Sequence, residues 1–418
     1  MNNFGLLRSP RSILFGECQR SALGLAARTI GSRALICTDA RLAADPVLDH
    51  LVDDLALNGI TAKVYDATEP ELPLGCVEQC ISVGAGFGPD LVIGFGGGSC
   101  IDLAKLVATG LSHKGSLRAY YGENLVPGPV APIIAIPTTA GTGSEVTPVA
   151  VVGDPEKTLK VGVASPFLIP TIAVCDPELT YSCPAGLTAS AGADALTHAI
   201  EAFTSASRPR SHEISFKSVF VGKNLISDNF ALSAISLIGG SLLKAWQFPD
   251  DRQARADMML GALYAGLAFG VAGTAAAHAL QYPVGALTHT PHGLGVAALM
   301  PYVMELNFPA VVPEFAQIAR ALGVNSLQAN DAANARAAIE AVVKLFAAIG
   351  IPQNLQELGI AENQCGWVAE QSLSATRLIR NNPVPLDLEV ARTVVQCAFD
   401  GQRSILRSRS MAVEGRQA

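Results

Sequence analysis

The 418-residue chain has little charge and few aromatic rings: Asp, Glu, Lys and Arg together make 16% of it, Phe, Trp and Tyr 6%, and there are only 2 Trp. A net charge of -7 with scattered Lys and Arg leaves no basic face for nucleic acid and no polybasic arm for a membrane surface. The 9 cysteines contain no Cys-x-x-Cys pair and several sit in apolar, strand-like runs, the pattern of reduced thiols in a cytoplasmic protein. Met1 to Leu14 lacks an apolar stretch leading to a small-residue cleavage site, so it does not read as a signal peptide. Met258 to Leu280 is apolar but built mostly of Ala and Gly, weaker than a spanning helix requires, and reads as a buried helix or helix pair. No repeat of 20–50 residues is present, and the last dozen residues read as a polar tail.

What the chain has in quantity is hydrophobic surface, 50% of its residues, over a length that favours two cores rather than one. We expect a dinucleotide-binding α/β domain over 1–183 and a helical domain over 184–418. In the first, strand-like runs at Ser12–Gly16, Ala34–Asp39, Thr61–Tyr65, Asp90–Phe95 and Ile133–Ile136 alternate with helix-like ones, such as the segment placing Leu48, Leu51, Val52 and Leu55 on one face. That alternation implies a parallel sheet covered on both faces. Past Asp176-Pro177 strands give way to Ala- and Leu-rich segments at helical spacing, among them Ala231–Trp246, Arg255–Phe269, Asn334–Ile349 and Leu388–Phe399.

Two loops of the first domain carry chemistry. Asp90–Phe95 runs straight into Gly96-Gly97-Gly98-Ser99, where residues without Cβ let a ligand approach the backbone, and Ser99 with Asp102 has the spacing of a helix capping box. A helix N-terminus behind such a turn suits a pyrophosphate, although this is not the GxGxxG fingerprint and a plain tight turn has the same composition. Thr138-Thr139-Ala140-Gly141-Thr142-Gly143-Ser144-Glu145 likewise follows a strand and is crowded with hydroxyls. Two such loops at strand ends fit a nucleotide crevice. Asp39, at the end of the second strand, reads either as an acceptor for a ribose, which favours NAD over NADP, or as a helix cap.

In the helical domain, Asp194 and His198 stand four apart and so share one helical face, able to address a single ion. Alone, that pair reads equally as a structural ion pair, and His278 among alanines as a core histidine. Together with His292 in Pro291-His292-Gly293 they form a set of one carboxylate and three imidazoles, suited to a borderline divalent ion, Fe²⁺ or Zn²⁺.

The succession Gly96-Gly97-Gly98-Ser99 with Asp102 and Lys105, Pro137 to Glu145, Gly192-Ala193-Asp194-Ala195-Leu196-Thr197-His198-Ala199-Ile200-Glu201, His278 and Pro291-His292-Gly293 resembles the iron-containing (group III) alcohol dehydrogenase family, in order from about Arg11 to Phe399. The resemblance implies a Rossmann-like α/β domain followed by an all-α domain, the dehydroquinate synthase-like architecture, with the active site in the cleft between them and a homodimer as the usual assembly. It implies Asp194, His198, His278 and His292 as metal ligands. It further implies NAD along Asp39, Gly96, Gly97, Gly98, Ser99, Asp102, Thr138, Thr139, Thr142 and Ser144, with Leu179 near the nicotinamide, and a small primary alcohol or aldehyde as substrate. Rival readings are a dehydroquinate synthase-like or glycerol-1-phosphate dehydrogenase-like enzyme, a reductase of an anionic aldehyde, or a protein that kept the fold without the chemistry.

Departures from the family pattern bear on substrate. Tyr282 stands where many members have a further, non-ligating His; it either donates a hydrogen bond in a proton relay or packs. Pro148 replaces a polar residue of some members and Cys18 a glycine. Ser207–Asp228, longer than in the commonest members, carries Arg208, Arg210, Lys217 and Lys223. It reads as a solvated loop, or as the source of a cation for an acidic substrate or of a dimer contact.

Overall fold

Every residue of Leu91–Gly96 is buried, because this strand lies inside a sheet whose two faces are both covered. The computed structural model describes residues 3–209 and 211–407 and divides into two compact units. One comprises Arg8–Ser182 and Ser211–Val219; the other comprises the described residues of Met1–Leu7, Cys183–Arg210 and Phe220–Ala418. The residues after Arg407, expected as a tail, and Arg210 lie outside the described residues.

The α/β unit is built on a six-stranded parallel sheet. In chain order the strands of this unit are β1 (Ser12–Phe15), β2 (Arg33–Cys37), β3 (Thr61–Tyr65), β4 (Leu91–Gly96), β5 (Gly122–Glu123), β6 (Ile133–Pro137), β7 (Val149–Val152), β8 (Val161–Ala164) and β9 (Ile172–Cys175). The large sheet runs β1-β9-β6-β4-β2-β3. Its period of two sends Leu35, Cys37 and Val92 into one core layer and Ala34, Ile36, Leu91, Ile93 and Phe95 into the opposite one. Helices Pro46–Leu57, Leu74–Phe87 and Gly98–Ser112 make the crossovers. The last lies so close to β4 that a Cβ on Gly94 would come within 2.9 Å of the Ile101 Cα.

β9 and the small sheet β5-β8-β7 are additions to the strands expected from sequence. Their runs are two to four residues long. Behind β7, Asp154 accepts from Arg118 Nε (2.7 Å) and Tyr121 Oη (2.9 Å), fastening the small sheet to the chain before it. Arg8 donates to the carbonyls of Ser215, Ser218 and Val219, which keeps the late segment Ser211–Val219 with this unit.

The second unit is helical throughout. Helix Ala185–Thr204 is buried along nearly its whole length, and the antiparallel pair Leu225–Gln247 and Arg252–Ala272 packs against it. Leu225–Gln247 is long and apolar enough to cross a membrane by length and composition, as is the bent pair Arg252–Ala272 and Ala276–Thr288. That pair turns by 102° at Gly273, whose φ of +86° is open to glycine, and Asn381 holds the break by donating to the carbonyls of Ala272 and Thr274. The region Met258 to Leu280 is therefore two helices. Helix His292–Asn307 ends at a charge knot, in which fully buried Glu305 meets Arg336, Arg403 and Arg407, and Glu340 shares the last two.

Candidate active site

In the α/β unit the two polar loops meet. Gly96 ends β4 with φ +148°, a conformation costly for any side chain, and Gly97 sits at the N-cap of helix Gly98–Ser112. The Thr138 N–H donates to the Gly96 carbonyl (3.0 Å), and a Cβ on Gly98 would stand 2.7 Å from Thr142 Cγ2. The glycine turn is thus lined by Thr139 and Thr142, leaving a shallow, hydroxyl-edged cradle at a helix N-terminus, where N–H groups and the helix dipole favour an anion.

The expected capping box at Ser99 and Asp102 is not formed: the helix begins two residues earlier, with Gly97 at the N-cap and no side-chain cap. Asp102 is used differently, accepting from Ser144 Oγ (2.6 Å) and the Val151 N–H (2.9 Å). Lys105, fully buried on the same helix, donates to Ser144 Oγ and to the Thr147 and Val149 carbonyls at 2.8–2.9 Å. A buried ammonium needs such a set of acceptors, and here they lock the second loop to the first. Asp39 caps the short helix after β2 by accepting from the Leu42 N–H (2.9 Å), while its Oδ2 lies 4.0 Å from Cys100 Sγ. Leu179 lies in the turn Pro177–Thr180 just after β9, packed into one core layer of the sheet.

In the helical unit three helices deliver the metal-ligand candidates to one place. Helix Ala185–Thr204 presents Asp194 and His198, Ala276–Thr288 brings His278 on its first turn, and His292 opens helix His292–Asn307. The Nε2 atoms of His278, His198 and His292 lie 3.6, 3.7 and 4.0 Å from Asp194 Oδ1. Those distances are too long for good hydrogen bonds and are right for donors gathered around a common centre. Asp194 Oδ1 and His278 Nε2 are buried with no hydrogen-bond partner among the described residues. Polar atoms orphaned in this way call for an ion, and one carboxylate with three imidazoles fits a first-row divalent metal.

The electrostatics agree. Burial opposes ionisation of Asp194, but the surrounding His198, His292 and His278 outweigh it and hold the carboxyl well below the usual range. The His278 ring, disfavoured as a cation by burial, is pushed up to about 9 by Glu201 and Asp194. The His198 ring stacks between Phe269 (centroids 4.2 Å apart) and His278 (4.7 Å), whereas His292 remains 36% exposed in its side chain and marks the open side. Tyr282, one turn beyond His278, has its ring 6.3 Å from that of His292.

Two residues beside the ligands carry roles that pattern reading did not assign. Glu201 Oε2 lies 2.6 Å from His278 Nδ1, and Gln281 Oε1 lies 2.8 Å from His292 Nδ1. Glu201 follows Asp194 by seven and His198 by three, the spacing of one helical face, which was a readable signal. Among the described cations of Ser207–Asp228, Arg208 donates to the Phe220 carbonyl, Lys217 pairs with Glu213 on the surface, and Lys223 pairs with Asp228 (3.0 Å) over the Phe203 ring; Arg210 lies outside the described residues.

Both units match known proteins. Residues 10–177 match the family described as iron-containing alcohol dehydrogenase, and residues 188–398 match the C-terminal part of the Fe-containing alcohol dehydrogenase family. The chain is 37% identical over 370 residues to long-chain-alcohol dehydrogenase 1 of Geobacillus thermodenitrificans, covering 88% of this chain and 89% of that one. Among solved structures, a 1,3-propanediol oxidoreductase superposes with a TM-score of 0.88 at 32% identity, over 95% of this chain and 100% of that one. A sulfoacetaldehyde reductase from Bifidobacterium kashiwanohense, solved in complex with NAD+, gives 0.80 at 27% identity over 95% and 99%. With matched segments spanning both units, the chain belongs to the iron-containing alcohol dehydrogenase family.

Proposed function

We propose that Asp194, His198, His278 and His292 hold the catalytic divalent metal, and that the glycine turn with Thr138, Thr139, Thr142 and Ser144 holds the dinucleotide. The observation that carries the reading is the convergence of three imidazole Nε2 atoms on one orphaned carboxylate oxygen. As a member of its family the protein is an NAD-dependent oxidoreductase that moves a hydride between the nicotinamide and an alcohol or aldehyde carbon. A divalent cation at the four residues supplies Lewis acidity toward the substrate oxygen. NAD supplies the hydride acceptor, and the protein supplies position and electrostatics.

The chain's own residues do the rest. Carboxylate and amide acceptors at Glu201 and Gln281 keep the Nδ1 protons of His278 and His292 in place, so both Nε2 lone pairs face Asp194. Phe269 and the buried alanines Ala276, Ala277 and Ala279 keep bulk water from the inner side. To Tyr282, half-buried with its ring 6.3 Å from that of His292, we assign the passage of the alcohol proton toward solvent. Asp39 at the end of β2 repels a 2′-phosphate and so favours NAD over NADP. We assign the nicotinamide end to the neighbourhood of Leu179.

The substrate we favour is a small neutral primary alcohol or its aldehyde, since Arg208 and Lys223 are committed to contacts inside the helical unit. The nine free thiols suit a cytoplasmic setting, and we expect a homodimer, checked by light scattering. A panel of neutral and anionic aldehydes with NADH against NADPH, on enzyme stripped and reloaded with Fe²⁺ or Zn²⁺, tests the whole reading. Turnover should need metal and NADH and favour neutral aldehydes; activity surviving in chelated enzyme would refute it.

A further inference from the structure

Helix Ala276–Thr288 starts without a side-chain cap of its own: its N-cap residue is Ala275, and the preceding chain arrives through a 102° turn at Gly273. The first N–H groups of such a helix need acceptors, and burial leaves no water to supply them. They find them in another helix. Glu201, 2% exposed, accepts from the Ala275 N–H through Oε2 (2.8 Å) and from the Ala277 N–H through Oε1 (2.7 Å). The same Oε2 lies 2.6 Å from His278 Nδ1.

From this geometry we infer that Glu201 is a positioning residue of the metal centre, which couples the start of helix Ala276–Thr288 to the tautomer and aim of His278. The inference rests on the ligand assignment proposed above. A carboxylate can only accept, so the proton stays on Nδ1 and the Nε2 lone pair points at Asp194. Because two backbone bonds hold the carboxylate in place, it offers the His278 ring a fixed acceptor, and the ring cannot rotate without giving up that bond. Asp194, His198 and Glu201 share one face of helix Ala185–Thr204, so a single rigid element sets two ligands directly and aims a third. With a divalent cation bound and the three imidazoles neutral, the charges of Asp194 and Glu201 would equal and oppose that of the ion. Gln281, which serves His292 in the corresponding way, is neutral and makes no such cap.

The test uses the full-length protein stripped of metal and titrated with Co²⁺ and Zn²⁺ against a competing chelator. Glu201→Gln keeps the shape but carries an amide where a second acceptor is needed. It should weaken metal affinity by about 10–100-fold, the usual effect of losing a partner behind a metal-binding histidine, and alter the Co²⁺ absorption bands. Wild-type affinity in this variant, whether or not the metal-free protein melts earlier, would overturn the inference and leave Glu201 a helix cap only. Should the variant fail to fold, ¹⁵N-histidine NMR of the metal-loaded wild type decides: His278 protonated on Nδ1 supports the inference, and His278 protonated on Nε2 overturns it. A His292→Ala control separates the two levels, because unchanged metal affinity there would remove the ligand assignment itself.

Discussion

On the proposed ligand assignment, His278→Ala and His292→Ala should each yield protein whose metal content and turnover both fall to background, read by metal analysis alongside NADH formation. A second residue-scale expectation concerns pH. Glu145 is 3% exposed, and burial pushes its carboxyl up from 4.5 to about 7, outweighing its backbone hydrogen bond and the charge of Lys105. An acid with a raised value in the folded chain holds its proton more tightly there. Its contribution to stability is therefore full below pH 4.5 and is lost as the pH rises through about 7. Relative to Glu145→Gln, the wild type should lose on the order of 3 kcal/mol across that window, measured by chemical denaturation at both ends. The gathering of Asp194, His198, His278 and His292 was legible in the sequence, because the first two share a helical face and the later histidines sit in recognisable surroundings. The partners behind them were not, since a side chain's hydrogen bonds depend on which helix lies opposite.

At the scale of elements, two close contacts set the geometry of the two sites. A Cβ on Gly293 would stand 2.2 Å from the Ser190 carbonyl oxygen, so Gly293→Ala must push helix His292–Asn307 away from helix Ala185–Thr204 and take His292 with it. We expect at least a 10-fold weaker metal affinity by chelator competition in a protein that still folds, a loss like that from disturbing a ligand's support. Gly366→Ala, in a helix and with nothing within 4 Å, should instead gain about 0.5–1 kcal/mol. In the other unit Gly98→Ala meets Thr142 Cγ2 at 2.7 Å and should raise the KM for NAD; Thr142→Ser, which removes that methyl, should restore most of the loss in the double variant. Strands β2, β3, β4 and β6, of five or six residues, were legible in the sequence; β9 and the β5-β8-β7 sheet, of two to four, were missed, although β1 at four was not. The capping box was misread at Ser99 because three glycines leave the helix start to backbone geometry rather than to side chains.

For the whole molecule, the two-unit organisation follows from a change of pattern near Asp176-Pro177, yet the chain does not divide there cleanly: Ser211–Val219 returns to the α/β unit. Arg8 on three backbone carbonyls and Asn124 on the Lys217 carbonyl hold that return, a long-range choice no local pattern announces. Metal binding to the folded chain alone should stabilise it by about 4 kcal/mol at a thousandfold excess over Kd, so chelation should lower the melting temperature reversibly. The charge knot at Glu305 adds a matter of timing. The helix that begins with His292 is finished at its other end by Arg403 and Arg407, which leave the ribosome last among the described residues of that cluster. Its buried carboxylate therefore has only Arg336 as a partner until the last part of the described chain is made.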